Sequence, residues 1–187
     1  WDKPLEKWPQ DTVAALPKGI SRHVVRFIHM GKHIVAVKET TEALAIREYD
    51  MLRKLDRLDV PCVEPVAIVS GRLNKHGEAL PTALVTRHLR FSLPYRAIYS
   101  QTLRPDTATR LIDALAVLLA RLHIMGFFWG DVSLSNTLFR RDAGAFAAYL
   151  VDAETGKLVD HALSDGQREN DLEIGRVNIA GELLDLQ

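Results

Sequence analysis

Gly130-Asp131-Val132-Ser133-Leu134-Ser135-Asn136 is the stretch on which the reading of this chain turns. It follows a long apolar run, Leu111 to Met125, and precedes two short β-rich runs, Thr137 to Arg140 and Ala147 to Val151, separated by an Asp142–Gly144 turn. The expected setting is therefore a polar loop between a buried helix and a β-hairpin. A carboxylate and a carboxamide five positions apart on one loop can divide a task. Asp131 can accept the hydrogen of a hydroxyl and orient it, while the amide oxygen of Asn136 can ligate a hard cation such as Mg²⁺. The hairpin ends on Tyr149-Leu150-Val151 and then Asp152, a second carboxylate held at the mouth of a buried strand. Positioning, charge neutralisation and a metal are what phosphoryl transfer asks of a protein. Taken singly, each residue has an ordinary structural use: Asp131 capping a turn, Asn136 satisfying loop backbone, Asp152 ending a strand. Their ordered combination points to chemistry.

Upstream, two runs rich in β-branched residues, His23 to Met30 and His33 to Lys38, flank Gly31-Lys32 and predict a hairpin. Lys38 closes the second run, where apolar neighbours would bury its stem and leave the ammonium facing a cleft. From Thr41, a credible N-cap, the period becomes helical, with Leu44, Tyr49, Leu52 and Leu55 on the inward face. Glu48 on that helix is the preferred partner for Lys38, with Glu42 as the rival. Further strands are expected over Val66–Val69 and Ala83–Leu89, then a connector with a short helix near Tyr95–Ser100. A helix from Pro105 to Met125 is apolar almost all round, which predicts burial on every side. One more helix or a broken pair is expected over Leu163–Leu186. Residues 1–17, with three prolines, read as an irregular lead-in whose Trp1 and Trp8 pack onto the body.

Composition narrows the class. With 47% hydrophobic and 26% charged residues over 187 positions, the chain has the material for a globular core. The single cysteine, Cys62, excludes an internal disulfide framework and suits a reducing compartment. The most apolar run is broken by Asp113 and Arg121 and is shorter than the ~20 residues of a membrane span. A soluble, cytoplasmic chain with no transmembrane segment is the expectation. The zero net charge conceals a division: residues 1–110 carry 18 basic and 12 acidic side chains, and residues 111–187 carry 6 and 12. That asymmetry suits an anionic ligand and its cation lying between two halves, although an electrostatic interface between the halves would look the same. Arg22, His23, Arg26 and Lys32 lack interleaved aromatic residues, so nucleic-acid binding is not expected.

The order of strand Lys38, helix Glu48, loop Asp131 and Asn136, then Asp152 resembles the protein-kinase-like superfamily. Within it, His123-Ile124-Met125-Gly126 ahead of Gly130-Asp131 is similar to the "LHxxG…HGD" run of bacterial atypical kinases, the lipopolysaccharide (Kdo) kinase-like and RIO-like groups. Ser133 stands where typical kinases have lysine, as in RIO-like loops. Phe127-Phe128-Trp129-Gly130-Asp131 and Ser164-Asp165-Gly166-Gln167-Arg168 resemble an uncharacterised bacterial family described as lipopolysaccharide-kinase-like. The resemblance spans residues 18–160.

It implies an α+β, protein-kinase-like bilobal fold. Residues 1–89 would form an N-lobe of antiparallel strands and one helix, and residues 90–187 a shortened, mainly helical C-lobe. It also implies ATP and Mg²⁺, with Asp131 catalytic, Asn136 and Asp152 on the metal, and Lys38, Glu48, Gly19, Ser21 and His88 on the nucleotide. The acceptor would be an unidentified hydroxyl on a sugar, lipid-linked glycan, small molecule or protein. A pseudokinase acting as a nucleotide-binding or scaffolding module is the alternative. Departures from the superfamily pattern are plain. Trp129-Gly130 replaces His-Arg, and Asp152-Ala153-Glu154 replaces Asp-Phe-Gly. The glycine loop shrinks to Lys18-Gly19-Ile20-Ser21-Arg22, and only 35 residues follow Asp152. Glu154 reads as a solvated turn residue rather than a metal contact, and His123 as a structural brace for the loop.

Overall fold

The computed structural model describes residues 1–9, 23–99, 103–142 and 144–186. Val25–Met30 (β1) and His33–Thr40 (β2) form the expected hairpin around Gly31-Lys32, and Thr82–Arg87 (β4) and Pro65–Val69 (β3) complete an antiparallel sheet in the order β1-β2-β4-β3. Alternation along the strands assigns its two faces. Ala36, Lys38, Leu84 and Thr86 line a cleft. Val35, Val37, Ala83 and Val85 turn the other way into a small core closed by fully buried Leu5. Leu5 anchors the lead-in and Trp8 packs against the same core, as expected of it; Trp1 meets Trp8 edge-on at 5.2 Å between ring centres. Burying such a leucine stabilises by about 1.5–3 kcal/mol. Arg72 reinforces the strap by donating to the carbonyls of Trp1 and Lys3 and to the Glu39 carboxylate, whose Oε1 also accepts the Leu5 amide.

Glu42–Arg57 (α1) starts at Thr41, whose hydroxyl accepts the Leu44 amide. Ala45, Glu48, Leu52 and Leu55 form its buried stripe. Leu52 and Leu55 join the main core with Tyr95, Trp129 and the apolar face of Pro105–Ile124 (α3). Contrary to the expectation of all-round burial, α3 buries one stripe, Leu111, Ala114, Leu115, Leu118, Leu119, Leu122 and His123, while Ile112, Val117 and Ile124 are exposed. These three apolar residues find no cover among the described residues.

Two small elements escape the hydrophobic pattern because they are too short to show a period. Ser92–Pro94 (β5) precedes Tyr95–Tyr99 (α2) and pairs with Thr137–Asp142 (β7), which also pairs with Ala145–Leu150 (β8). Phe127–Phe128 (β6), within the stretch expected as loop, pairs with Lys157–Leu158 (β9). The tail is a single helix, Asp165–Leu184 (α4), opened by a reciprocal capping box between Ser164 and Gln167. The mixture of helices and antiparallel sheets is the α+β arrangement expected. No helix of the described residues is long and apolar enough to cross a membrane.

Gly126 sets the path between α3 and the loop. Its φ is +79°, and an added Cβ would lie 2.4 Å from the His161 carbonyl oxygen and 2.6 Å from that of Val159. Both obstacles are backbone and cannot rotate away. Gly126→Ala is expected to destabilise the fold by on the order of 3 kcal/mol, from strained φ and steric overlap together. Urea unfolding would measure this, and a loss under 1 kcal/mol would contradict the packing described.

Candidate active site

Lys38 is the centre of a compact charged cluster. Its Nζ lies 2.8 Å from Glu48 Oε2, 2.8 Å from Asp152 Oδ2 and 3.3 Å from Glu154 Oε2. Strand β2 aims the ammonium inward, and α1 carries Glu48 beneath it with 1% exposure; Glu42 is exposed. Burial works against the Lys38 charge, but Glu48 and then Asp152 more than offset it, so its pKa stands above the ordinary lysine value. Burial foremost, and the Asp152 charge next, push Glu48 up to about 7 against the pull of Lys38. Glu154, expected as a solvated turn residue, is instead drawn into this cluster and also meets His23 Nε2 at 3.2 Å. The cause is local: Asp152 Oδ1 accepts the Glu154 amide, a tight turn that swings the second carboxylate back toward Lys38.

Asp131 and Asn136 are joined directly. Asn136 Nδ2 donates to the Asp131 carbonyl at 3.1 Å and to its Oδ2 at 3.0 Å. Asn136, Ser135 and Asp152 line the same cleft as Lys38 and Glu48, a cavity of about 360 Å³ whose apolar walls include Ala36, Val63, Leu84, Leu138 and Val151. Such a volume, apolar walls and few convergent polar groups fit a small-molecule site. His88 lines the far end of this cleft, edge-on to Phe27 at 5.4 Å, with its pKa lowered by burial. A larger depression of about 430 Å³ between α3 and β8 contains none of these groups. Gly19 and Ser21, with Arg22, lie outside the described residues.

The loop is held from beneath by a residue that sequence reasoning passed over. Asp171, fully buried in α4, accepts the Trp129 amide at 2.9 Å and the Gly130 amide at 2.7 Å, and lies 3.0 Å from His123 Nε2. His123 thus braces the loop as expected, through this carboxylate. Trp129 adds a cross-link: its indole donates to the Asp152 carbonyl at 3.0 Å, and its own carbonyl accepts the Thr155 hydroxyl. Ser133 is 4% exposed; its hydroxyl accepts the Asn136 amide, so it shapes the turn. The sequence signal for Asp171 was available in part, since Asp171, Gly175, Asn178 and Glu182 fall on one helical face. A polar stripe reads as solvent-facing until its partners are known.

Residues 22–174 match the lipopolysaccharide kinase (Kdo/WaaP) family. The chain belongs to this family. No curated protein gives a significant match. Membership in the Kdo/WaaP family makes the chain a member of a kinase-like phosphotransferase group, in which use of a nucleotide and a divalent metal is general. The donors at the cleft suit that class. Glu48, Asp152 and Glu154 offer carboxylate oxygens within 4.8 Å of one another. Asn136 adds an amide oxygen, and hard oxygen donors of this kind suit a hard divalent cation rather than a soft one.

Proposed function

We propose that this Kdo/WaaP family member is an ATP- and Mg²⁺-dependent phosphotransferase that moves the γ-phosphate onto a hydroxyl acceptor. The observation that carries the reading is the single cleft in which Lys38, Glu48, Asn136 and Asp152 converge. In this reading residues 1–89 and 90–187 are the two lobes. Asn136 and Asp152 would hold the metal, which when bound offsets the charge of the phosphate oxygens. Lys38, kept charged and aimed by Glu48, binds phosphate; Gly19 and Ser21 contribute from the segment before β1, and His88 from the opposite end of the cleft. Asp131 accepts the acceptor's hydroxyl hydrogen. As the acceptor oxygen forms its bond to phosphorus, the bond to the bridging oxygen of ADP breaks and the hydroxyl proton passes to Asp131. The acceptor hydroxyl belongs to a sugar, lipid-linked glycan, small molecule or protein side chain.

The direct Lys38–Asp152 contact, which occupies one oxygen of the metal carboxylate, favours a second reading, a pseudokinase that binds nucleotide or a partner without turnover. Thermal unfolding and ADP release, each with and without Mg²⁺, separate the two. Ligand at 100 times its Kd stabilises by about 2.7 kcal/mol, which is roughly 5–10 °C for a chain of this size. The expected result is a Mg²⁺-dependent shift of that order together with ADP release, and Asp152→Asn should abolish the metal-dependent part. A shift without ADP release, with any acceptor class supplied, would establish the pseudokinase. No shift at all would defeat both.

A further inference from the structure

Below the loop, α4 does more than supply Asp171. Gly175 lets the helix come close: an added Cβ there would lie 2.9 Å from Val132 Cγ1. One turn further on, Asn178 Nδ2 donates to Asp131 Oδ1 at 3.3 Å and to the Val132 carbonyl at 3.1 Å. A further turn on, the two carboxylate oxygens of Glu182 accept the Leu134 amide at 2.7 Å and the Ser135 amide at 2.8 Å. Both residues lie beyond the segment that matches the family.

We propose that Asn178 and Glu182 are positioning residues that lock the Asp131–Asn136 loop in its working geometry; the inference rests on the phosphotransfer reading above. The two ends of the loop are fixed separately. With Asn136 on Oδ2 and Asn178 on Oδ1, both oxygens of the Asp131 carboxylate are engaged, so its plane cannot rotate freely. Glu182 makes two short charge-assisted bonds to consecutive peptide amides, immediately before Asn136, and so sets the direction in which the carboxamide leaves the backbone. Ser133 works from inside the loop, its hydroxyl meeting Ser135 and accepting the Asn136 amide. The helix therefore adds, from outside the loop, contacts at Asp131 Oδ1 and at the Leu134 and Ser135 amides that complete those made within it.

The test uses Asn178→Asp, which keeps size but loses the donor, with Asn178→Ala, Glu182→Ala and Glu182→Gln, in the full chain. ADP release is followed over a range of Mg–ATP concentrations, and amide hydrogen exchange is followed at Val132, Leu134 and Ser135. The expected result is a fall in kcat of at least about tenfold for Asn178→Asp, Asn178→Ala and Glu182→Ala, with KM for Mg–ATP within about twofold, the signature of lost alignment rather than lost binding. Exchange at Leu134 and Ser135 should accelerate at least about tenfold in Glu182→Ala while amides of the α3 core stay unchanged, and Glu182→Gln, whose one carbonyl oxygen can accept only one of the two amides, should restore protection at one of them. Parent-like kcat in the Asn178 and Glu182→Ala variants overturns the proposal. Unchanged loop exchange in Glu182→Ala overturns it as well, whether or not the parent turns over. If the parent shows no turnover and exchange still accelerates only at the loop, the lock stands and the phosphotransfer reading is what fails.

Discussion

Asp171→Ala is expected to cost about 3–5 kcal/mol of folding stability, the range for stripping one member from a buried charged network. The carboxylate is fully buried and answers the Trp129 amide, the Gly130 amide and the His123 ring. Alanine leaves all of these without a partner in a site that water does not reach, and an orphaned buried donor costs about 1–3 kcal/mol. Asp171→Asn should cost less, since its amide oxygen still serves one backbone donor while its NH₂ opposes another. Urea unfolding followed by the fluorescence of buried Trp129 would measure both, although Trp1 and Trp8 add background. A loss below 1 kcal/mol for the alanine variant would mean that the loop has another support. Because the two amides lie immediately before Asp131, surviving Asp171→Ala protein should also lose turnover faster than it loses affinity for Mg–ATP.

Asp131→Asn should lower kcat for phosphate transfer by about 10²–10⁴, the usual worth of a positioned general base. An amide cannot take up the acceptor's proton. It also presents an NH₂ group where Asn136 and Asn178 both donate, so one of these contacts must be given up. Asp131 is not part of the cleft lining that Lys38, Asn136 and Asp152 share, and Mg–ATP affinity is expected to change by less than about threefold. Turnover within threefold of the parent would remove Asp131 from the chemistry. Loss of binding and turnover together would make it a structural residue of the cleft instead.

Much of this arrangement was legible before any coordinates. β1, β2, α1, β3, β4 and α3 stand near their expected places because each carries a long hydrophobic period, and Thr41 and Pro105 mark helix starts by mechanism. The preference for Glu48 over Glu42 also agrees with the structure, since only Glu48 shares the buried stripe with Ala45, Leu52 and Leu55. What the pattern missed depends on partners distant in sequence. β5 and β6 hold three and two residues, too few to show any alternation, and exist because β7 and β9 pair with them. The exposed face of α3 looked buried because apolar residues alone do not say how many neighbours a helix has. Glu154 reads as a solvated turn residue, and nothing in the pattern singles out Asp171, Asn178 or Glu182 on the last helix; only tertiary contact reveals them as members or supports of the site.

The alternation in β2 has a consequence for how this chain tolerates change in length. Neighbouring residues Lys38 and Glu39 point to opposite sides, one toward the cleft and one toward Arg72 under the strap. Deleting a single residue just ahead of Lys38 would reverse that parity. With the start of the strand held in place, Glu39 would then face the cleft and the Lys38 ammonium would enter the apolar layer of Leu5, Val35 and Val85, two misplaced charges from one lost codon. The protruding turn at Asn74–Glu78 carries no such constraint, so insertions and deletions in a library of this gene should survive there and vanish from β2.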